Sequence, residues 1–432
     1  MKKIYFLPFL FWLAIAHPSL AQDFIPDPEW TIEKAIAYAF SHNVELQIEK
    51  KIVEIVKAEW IKAKTLPFNP ELEGETSSDS QYANEGEESQ RLSLTQEIEL
   101  FGQRWTRKAS AKHRLEAAEF EYKRAEKSLI ARVRESFTNQ LFLGKRLRTF
   151  EALLEFDKEI WNSAQKRFEE GVIRQIDFDL TRIEYNRANA EYLKANSEWT
   201  AGRLSLNRLL GLSDPLVQIQ LKGELKFPLM KLSLEQLIQL ALEHRGDYQA
   251  KKLEFKASQK DLSLARREVF PNPKIGIFYE REKSTIEKLK DEDKLLGFSV
   301  GLPLPLLNRN QGERARALAA LSMADFIQKS VELDVKTQVA EAYQSLKNTE
   351  ELLGLYVDLE LRLDKDLELV RNAYTQGRIS VENYLTQKDH FLQAKLDFLD
   401  SYKTYIEARN TLEQAIGLKW EEILATPEGE KK

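Results

Sequence analysis

The sequence predicts a mixed α+β membrane protein in which one unit, helix–strand hairpin–long helix–helix, occurs twice. Three observations predict this class: landmarks that recur about 200 residues apart, four alternating strands of membrane-crossing length, and two helical stretches of about 65 residues. The chain has 432 residues, with only 17 glycines and 13 prolines. That composition favours long helices over large disordered regions.

The composition also excludes several classes of protein. With no cysteine, the chain forms no disulfide scaffold, no Cys-ligated metal site and no lipidated N-terminal cysteine. A net charge of −5 argues against binding to nucleic acid. A mean hydropathy of −0.47 excludes a bundle of transmembrane helices, but it remains compatible with a β-barrel, whose hydropathy signal is weaker.

The first element, residues 1–21, is interpreted as a signal peptide. Lys2 and Lys3 precede an apolar run over residues 4–16, and Ala21 ends an A-x-A-like cleavage site. The alternative, a membrane-anchoring helix, requires a longer apolar run of about 18 residues. Export of a chain without cysteine indicates a periplasmic or outer-membrane protein.

The rest of the chain is a duplication. The matching segments are residues 31–42 with 233–244, Asn69-Pro70 with Asn272-Pro273, Phe168-x-x-Gly171 with Tyr374-x-x-Gly377, and residues 209–212 with 415–418. They divide the chain into a first repeat over residues 22–212, a linker over 213–231, a second repeat over 232–418 and a C-terminal tail over 419–432.

Each repeat begins with two helices and a strand hairpin. Thr31 occupies an N-cap position, a break follows at Asn43, and the next helix ends near Thr65 before prolines. The predicted strands cover residues 71–80, 90–100, 274–283 and 294–302. Their alternation and length suit strands that cross a bilayer, which need about 9–11 residues. A half-buried sheet on a soluble domain gives the same alternation and stays open at this point.

The long helices are predicted over residues 104–170 and 312–376, and their apolar positions follow heptad spacing. Each spans about 100 Å. The returning helices, residues 177–210 and 381–416, cover only about half of that length. The helix at residues 44–65 is therefore expected to stack end to end with the first returning helix.

Four strands cannot close a barrel, because a single-chain barrel needs about eight. An open sheet edge in lipid would leave backbone groups unpaired, so several chains must share one barrel. Three chains supply 12 strands, enough for a lumen. The expected architecture is a trimeric 12-strand β-barrel continued by a long α-helical coiled-coil barrel, which is a conduit and not a catalyst.

Several segments resemble one known family. They are residues 66–70, residues 301–312 (Gly-Leu-Pro-Leu-Pro-Leu-Leu-Asn-Arg-Asn-Gln-Gly), the duplicated Leu46-Gln47 and Tyr248-Gln249, and Tyr374-x-x-Gly377. Because of these segments, the mature chain resembles the TolC-type outer membrane efflux proteins along essentially its whole length. Residues 301–312 look most like the CzcC-like heavy-metal branch. The resemblance implies a homotrimer in outer-membrane lipid, a periplasmic adaptor and an inner-membrane resistance–nodulation–division (RND) pump.

Three sets of residues are the candidate functional positions. Switches from helix to strand are expected at Pro67, Pro70, Gly102, Pro271, Pro273, Pro303 and Pro305. The resemblance implies that two periplasmic tips contact the adaptor and close the tunnel. The tips are formed by Gly171, Val172, Ile173, Arg174, Gly377, Arg378, Ile379 and Ser380. The candidates for an entrance gate are Asp177, Glu382, Asn383 and Asp389. Asn383 stands where many relatives carry an acid, which departs from the family pattern.

No catalytic or cofactor-binding constellation is visible. The five histidines lack metal-ligand spacing, and no cofactor is predicted. Three hypotheses remain: an outer-membrane channel, a periplasmic coiled-coil adaptor or scaffold, and an exported enzyme, which the sequence does not support. Within the first hypothesis, divalent heavy-metal cations are the leading cargo, and drug efflux or type I protein secretion is the alternative.

Overall fold

The computed structural model describes residues 29–78, 88–223, 232–286 and 289–425. The predicted signal peptide, residues 1–21, lies outside these ranges, as do part of the linker and the end of the tail. Among the described residues, no helix combines the length and apolar character that a membrane span requires.

The chain forms two copies of the same series of elements. The first contains β1 (Glu29–Trp30), α1 (Ile32–His42), α2 (Val44–Lys64), β2 (Glu71–Ser78), β3 (Glu88–Glu97), α3 (Gln103–Glu169) and α4 (Gln175–Leu210). After β4 (Gln220–Leu221), the second contains α5 (Leu234–His244), α6 (Gly246–Arg267), β5 (Lys274–Ile286), β6 (Leu289–Gly301), α7 (Gln311–Thr375) and α8 (Val381–Ile416). A last helix, α9, covers Trp420–Ala425.

Several boundaries differ from those that the sequence predicts. Strand β3 ends at Glu97 and not at residue 100, and β6 begins at Leu289, five residues before the predicted start. Helix α4 begins at Gln175, two residues early. No element is predicted in the tail at 419–432, but Trp420 and Ile423 are buried there and hold α9 against the second repeat. The short parallel pair of β1 and β4 is also not predicted.

The four long strands form one antiparallel sheet in the order β2–β3–β5–β6. Leu72, Leu94, Ile277 and Phe298 lie side by side across it. Since side chains alternate between faces along a strand, this register makes one face apolar in its central rows and the opposite face polar. Strands β2 and β6 are the sheet's two edges.

The helices form a layer whose order matches the sheet. Next to the sheet, α2 packs on α3, α3 on α6, and α6 on α7. Farther from the sheet, α4 packs on α3, α3 on α8, and α8 on α7. Three clusters of buried apolar residues lie along this layer, and the third joins α3, α4, α7 and α8. Helices α2 and α7 are the outer members near the sheet, and α4 and α7 are the outer members at the far end.

The short helices lie end to end with the returning helices. The buried Asn43 sits between α1 and α2, and its side-chain Nδ2 donates to the Leu209 carbonyl at the end of α4 (2.8 Å). Its Oδ1 accepts from the Leu46 N–H and caps α2 (2.9 Å). In the second repeat, Arg245 takes this place and donates to the Ala415 carbonyl at the end of α8 (3.3 Å). The two stacks bring each repeat to the length of its long helix.

Gly211 ends α4 at this junction with a left-handed backbone, φ +80°, and a Cβ there would overlap the His42 carbonyl. Gly171 has a similar φ of +74°, but a Cβ added there would meet no atom within 4 Å. We expect Gly171→Ala to cost about 1 kcal/mol from backbone strain alone, and Gly211→Ala roughly 2–4 kcal/mol, because steric overlap is added. Apparent unfolding temperatures from circular dichroism would test this, and equal losses in the two variants would contradict it.

Candidate functional site

Two tight turns lie at the ends of the long helices, about 100 Å from the sheet. After α3, the Gly171 N–H donates to the Phe168 carbonyl and the Val172 N–H to the Arg167 carbonyl (2.9 and 2.8 Å). This pair of bonds is a Schellman motif, which requires a left-handed residue, and Gly171 supplies it.

The second turn repeats this geometry after α7. Gly377, with φ +72°, donates to the Tyr374 carbonyl, and Arg378 donates to the Ala373 carbonyl, both at 2.9 Å. Each motif closes a long helix within two residues, so the returning helix starts almost at once. The predicted tip residues therefore lie in two equivalent turns.

The two turns differ in how the returning helix is capped. At α8, the Ser380 hydroxyl accepts from the Asn383 N–H (3.3 Å). At α4, the Arg174 guanidinium instead binds the Asp177 carboxylate through two bonds of 3.0 Å. These bonds lower the pKa of Asp177 below its usual value. Asp177 is therefore ionised, and each of its carboxylate oxygens accepts a bond from Arg174 of its own turn.

The four gate candidates fall into two places. Asp177 and Glu382 lie in the first turns of α4 and α8, and the charge of Glu382 adds to the effect of Asp177 in raising the pKa of Arg174. Asn383 lies beside Glu382, with its N–H bound to the cap. Asp389 is two turns further along α8, where it accepts from Arg187 of α4 (3.3 Å). The structure thus brings the two turns together but separates Asp389 from them.

A buried polar cluster, which the sequence reasoning missed, joins three helices near these turns. The Lys388 ammonium of α8 is fully buried and binds Asp157 of α3 (2.9 Å) and Glu184 of α4 (2.7 Å). The Tyr384 hydroxyl also donates to Asp157 (3.1 Å). We call Asp157, Glu184, Tyr384 and Lys388 the buried tie. Its one signal in the sequence is that Asp157 occupies a heptad position where apolar residues stand before and after it.

The charges of the buried tie hold the two repeats together near the tips. Burial raises the pKa of Asp157, although the Lys388 ammonium and the Tyr384 hydroxyl act in the opposite direction. Burial and the Asp157 charge raise the pKa of Tyr384, which stays protonated and donates. The tie is the polar part of a contact between α8 of the second repeat and both α3 and α4 of the first.

The predicted junction residues all lie between helices and strands. Pro67 and Pro70 fall between α2 and β2, Pro271 and Pro273 between α6 and β5, and Pro303 and Pro305 between β6 and α7. Gly102 precedes α3 with a φ of +76°. Side chains cross this junction: Arg267 donates to the Phe101 carbonyl (2.9 Å), and Gln103 Nε2 donates to the Phe270 carbonyl (3.4 Å).

The polar face of the sheet is strongly acidic. The register places on this one face the carboxylates of Glu71, Glu73, Glu75, Glu97, Glu280, Glu282 and Asp293. Only two cationic side chains within the described pairing, Arg91 and Lys274, share that face. The described part of the chain contains no group of three His, Cys, Asp or Glu residues placed to hold a metal ion.

An amphipathic sheet with open edges, continued by helical hairpins about 100 Å long, defines a subunit of a membrane-attached tube. Comparisons with known proteins agree. The family model described as outer membrane efflux protein matches residues 59–212 and 237–418. The chain therefore belongs to the outer membrane efflux protein family, which confirms the resemblance to TolC-type proteins.

Solved structures of similar proteins support the fold. The CmeC outer membrane channel of Campylobacter jejuni aligns with a TM-score of 0.74 at 17% identity, covering 89% of this chain and 85% of that chain. The open-state MtrE outer membrane channel of Neisseria gonorrhoeae gives 0.71 at 18%, covering 90% and 89%. A structure of CusC gives 0.72 at 18%, covering 90% and 92%. Among curated protein sequences, none matches significantly.

Membership in the family decides the coarse function. Its members are outer-membrane channels with a periplasmic portion, so the chain is a passive channel protein and the expectation that it is no enzyme is confirmed. The adaptor or scaffold hypothesis and the enzyme hypothesis are thereby set aside.

The buried tie can be tested by removing its cation. Lys388→Met leaves the Asp157 carboxylate buried without its ammonium, which costs roughly 3 kcal/mol. Because burial raises the folded-state pKa of Asp157, the folded variant binds a proton that the unfolded chain does not, and its stability should rise as the pH is lowered from 8 to 5. Thermal unfolding at both pH values measures this.

Arg187→Met is the matched control, because Arg187 pairs with Glu184 and Asp389 but its side chain is 57% exposed. It should change stability by less than about 1 kcal/mol at either pH. The double variant Lys388→Met with Asp157→Asn should recover stability at pH 8. An equal loss in the two single variants would contradict a structural role for the buried tie.

Proposed function

We propose that the chain is the outer-membrane channel of a tripartite efflux system, a passive exit duct for divalent heavy-metal cations. The duct is a homotrimer that works with a periplasmic adaptor and an inner-membrane RND pump. Export through a signal peptide cleaved after Ala21 brings it to the outer membrane. Family membership supports the channel, and the features below support the finer statements.

The open edges of the protomer support the homotrimer. Within the described residues, strands β2 and β6 each pair on one side only, and lipid offers no hydrogen-bond partner to the other side. If β6 of one protomer pairs with β2 of the next, three protomers close a 12-strand barrel, and the polar face lines its lumen.

The outer helices carry the matching apolar surfaces. Helix α2 exposes Val44, Ile48, Ile52 and Ile55 at spacings of three and four residues, with exposed fractions of 43–67%. Helix α7 exposes Leu318, Met323, Phe326 and Leu333. These two faces lie at opposite edges of the helix layer, so head-to-tail packing buries both and closes a ring.

The acidic polar face is the observation that carries the cation cargo. In a closed barrel it would place the seven carboxylates of each chain along the lumen, against two cations. Facing charges of one sign raise the local concentration of counter-ions and lower that of anions. The resemblance of residues 301–312 to the heavy-metal branch points to the same cargo.

The tips are the proposed adaptor contacts. Each turn combines an apolar and a basic residue: Val172 lies two positions before Arg174, and Ile379 directly follows Arg378. Gly171 and Gly377 have open space around them. The entrance-gate role belongs first to Asp177 and Glu382, which lie in the first turns of the two returning helices. The buried tie joins α4 and α8 close to those turns. Opening the entrance therefore requires either that the charges of the tie separate or that α3, α4 and α8 move together.

The acidic lumen predicts cation selectivity in the reconstituted channel. The triple variant Glu71→Gln, Glu73→Gln, Glu75→Gln removes nine carboxylates from a trimer, so we expect the cation-to-anion permeability ratio to fall towards one. Reversal potentials in planar bilayers under a salt gradient measure that ratio. Glu88→Gln with Glu292→Gln, on the opposite face of the sheet, is the control and should leave it unchanged. A ratio near one in the unaltered channel would refute the cation proposal.

The cargo itself is tested in cells. A strain that lacks the gene should become more sensitive to zinc, cobalt, cadmium or copper, because the pumped cation loses its exit across the outer membrane. Minimum inhibitory concentrations with and without the restored gene measure this. Unchanged metal tolerance together with greater sensitivity to dyes or antibiotics would replace metal efflux by drug efflux, and loss of a secreted protein would indicate type I secretion.

A further inference from the structure

The apolar belt on the sheet is short. On the apolar face it runs from the row of Ile275 and Val300 to the row of Tyr279 and Leu296, which is five residues of each strand. At about 3.3 Å per residue these rows cover about 13 Å, and strand tilt reduces that height further. Outer-membrane barrels carry apolar bands about 25 Å tall. The strands alone therefore leave about half of the hydrocarbon thickness without a matching surface.

The missing height cannot come from the loop side of the sheet. Beyond Tyr279, the next rows on this face hold Arg281 with Lys294 and Lys283 with Glu292. These charged side chains, partly paired with each other, suit the headgroup region and not the hydrocarbon. The apolar surface must continue towards the helices.

The segment after β6 provides that continuation. Leu302, Leu304 and Leu306 keep the two-residue spacing of Phe298 and Val300, and Leu304, Leu306 and Leu307 are 69%, 70% and 91% exposed. Pro303 and Pro305 have no N–H, and the Leu306 N–H donates to the Leu304 carbonyl (2.9 Å). The segment thus presents few unpaired backbone donors, which lowers the cost of placing an irregular backbone beside hydrocarbon, where each unpaired polar group costs several kcal/mol.

Three exposed aromatic residues lie at two of the other junctions between helix and strand. Phe101 and Phe270 stack on each other with ring centroids 4.8 Å apart, yet remain 42% and 53% exposed. Trp105, on the first turn of α3, is 73% exposed, with the Lys108 ammonium 5.8 Å from its ring. Exposed tryptophan next to a basic group is typical of the boundary between hydrocarbon and headgroups.

We propose that these six residues, Phe101, Trp105, Phe270, Leu304, Leu306 and Leu307, form a collar that lies in the inner leaflet of the outer membrane. The collar supplies the apolar height that the short strands lack. It also anchors a chain that has no cysteine for a lipid tail. The proposal rests on the outer-membrane placement of the sheet and deepens it by assigning the depth at which the barrel ends.

Single-cysteine spin labels test the depth, because the chain has no native cysteine to interfere. Leu307→Cys in the collar is compared with Phe298→Cys on the sheet and Val172→Cys at a tip, all highly exposed in the protomer. The full-length protein is reconstituted in phospholipid vesicles, and relaxation by oxygen, which enriches in lipid, is measured against relaxation by a water-soluble nickel chelate. We expect the oxygen-to-nickel ratio at Leu307 to match that at Phe298 and to exceed that at Val172 severalfold.

Each other outcome overturns the collar. A ratio at Leu307 equal to that at Val172 places the segment in water. An immobile label shielded from both reagents means that a neighbouring protomer covers it instead of lipid. If Phe298→Cys itself gives the ratio of Val172→Cys, the sheet is not in the bilayer and the channel proposal fails with the collar. If only Leu307 departs, the channel stands and the collar alone is wrong.

Discussion

A backbone in lipid has no partner except itself, and this constraint governs the whole molecule. The part of the chain that the structure describes builds a sheet of four strands whose two edges have no further strand beside them. In hydrocarbon, each unpaired N–H or C=O costs several kcal/mol, so such a sheet is stable there only when copies close on one another. Closure fixes the curvature of the helix layer beneath it, because each strand leads through a short junction into a helix. The outer helices α2 and α7 then meet their counterparts in neighbouring protomers.

The junctions connect a layer of strands to a layer of helices, and neighbouring elements lie at different distances in the two layers. Strands lie about 4.8 Å apart in a sheet, whereas packed helices lie about 8–10 Å apart. Four strands lead to four helices, α2, α3, α6 and α7, so a ring of 12 strands must continue as a wider ring of 12 helices. Proline and left-handed residues at the switch points let the chain change direction between these layers. Arg267 and Gln103 then fix the junction through bonds to backbone carbonyls.

The sequence predicted most of this architecture because duplication and periodicity extend over hundreds of residues. The heptads located α3 and α7 within one residue at either end, and the repeated glycines located both tips. Local patterns could not predict contacts between the repeats. Asp157 and Lys388 are 231 residues apart, and although Asp157 stands at an apolar heptad position, nothing local predicts its partner. Helix α9 was missed because no local pattern predicts that Trp420 and Ile423 join the apolar cluster of the second repeat.

The two repeats share a backbone conformation, but the charged residues near their tips differ. The first turn holds a salt bridge, Arg174 with Asp177, where the second has the neutral cap of Ser380 and Asn383. In the buried tie, the cation comes from the second repeat and both carboxylates from the first. At the equivalent positions of the other repeat, Arg182 stands for Lys388, Leu363 for Asp157 and His390 for Glu184, so the repeats differ in the carboxylates and share the cation. The two carboxylates of the tie are therefore particular to the first repeat, and their bonds to Lys388 join the two hairpins of one protomer near the tips.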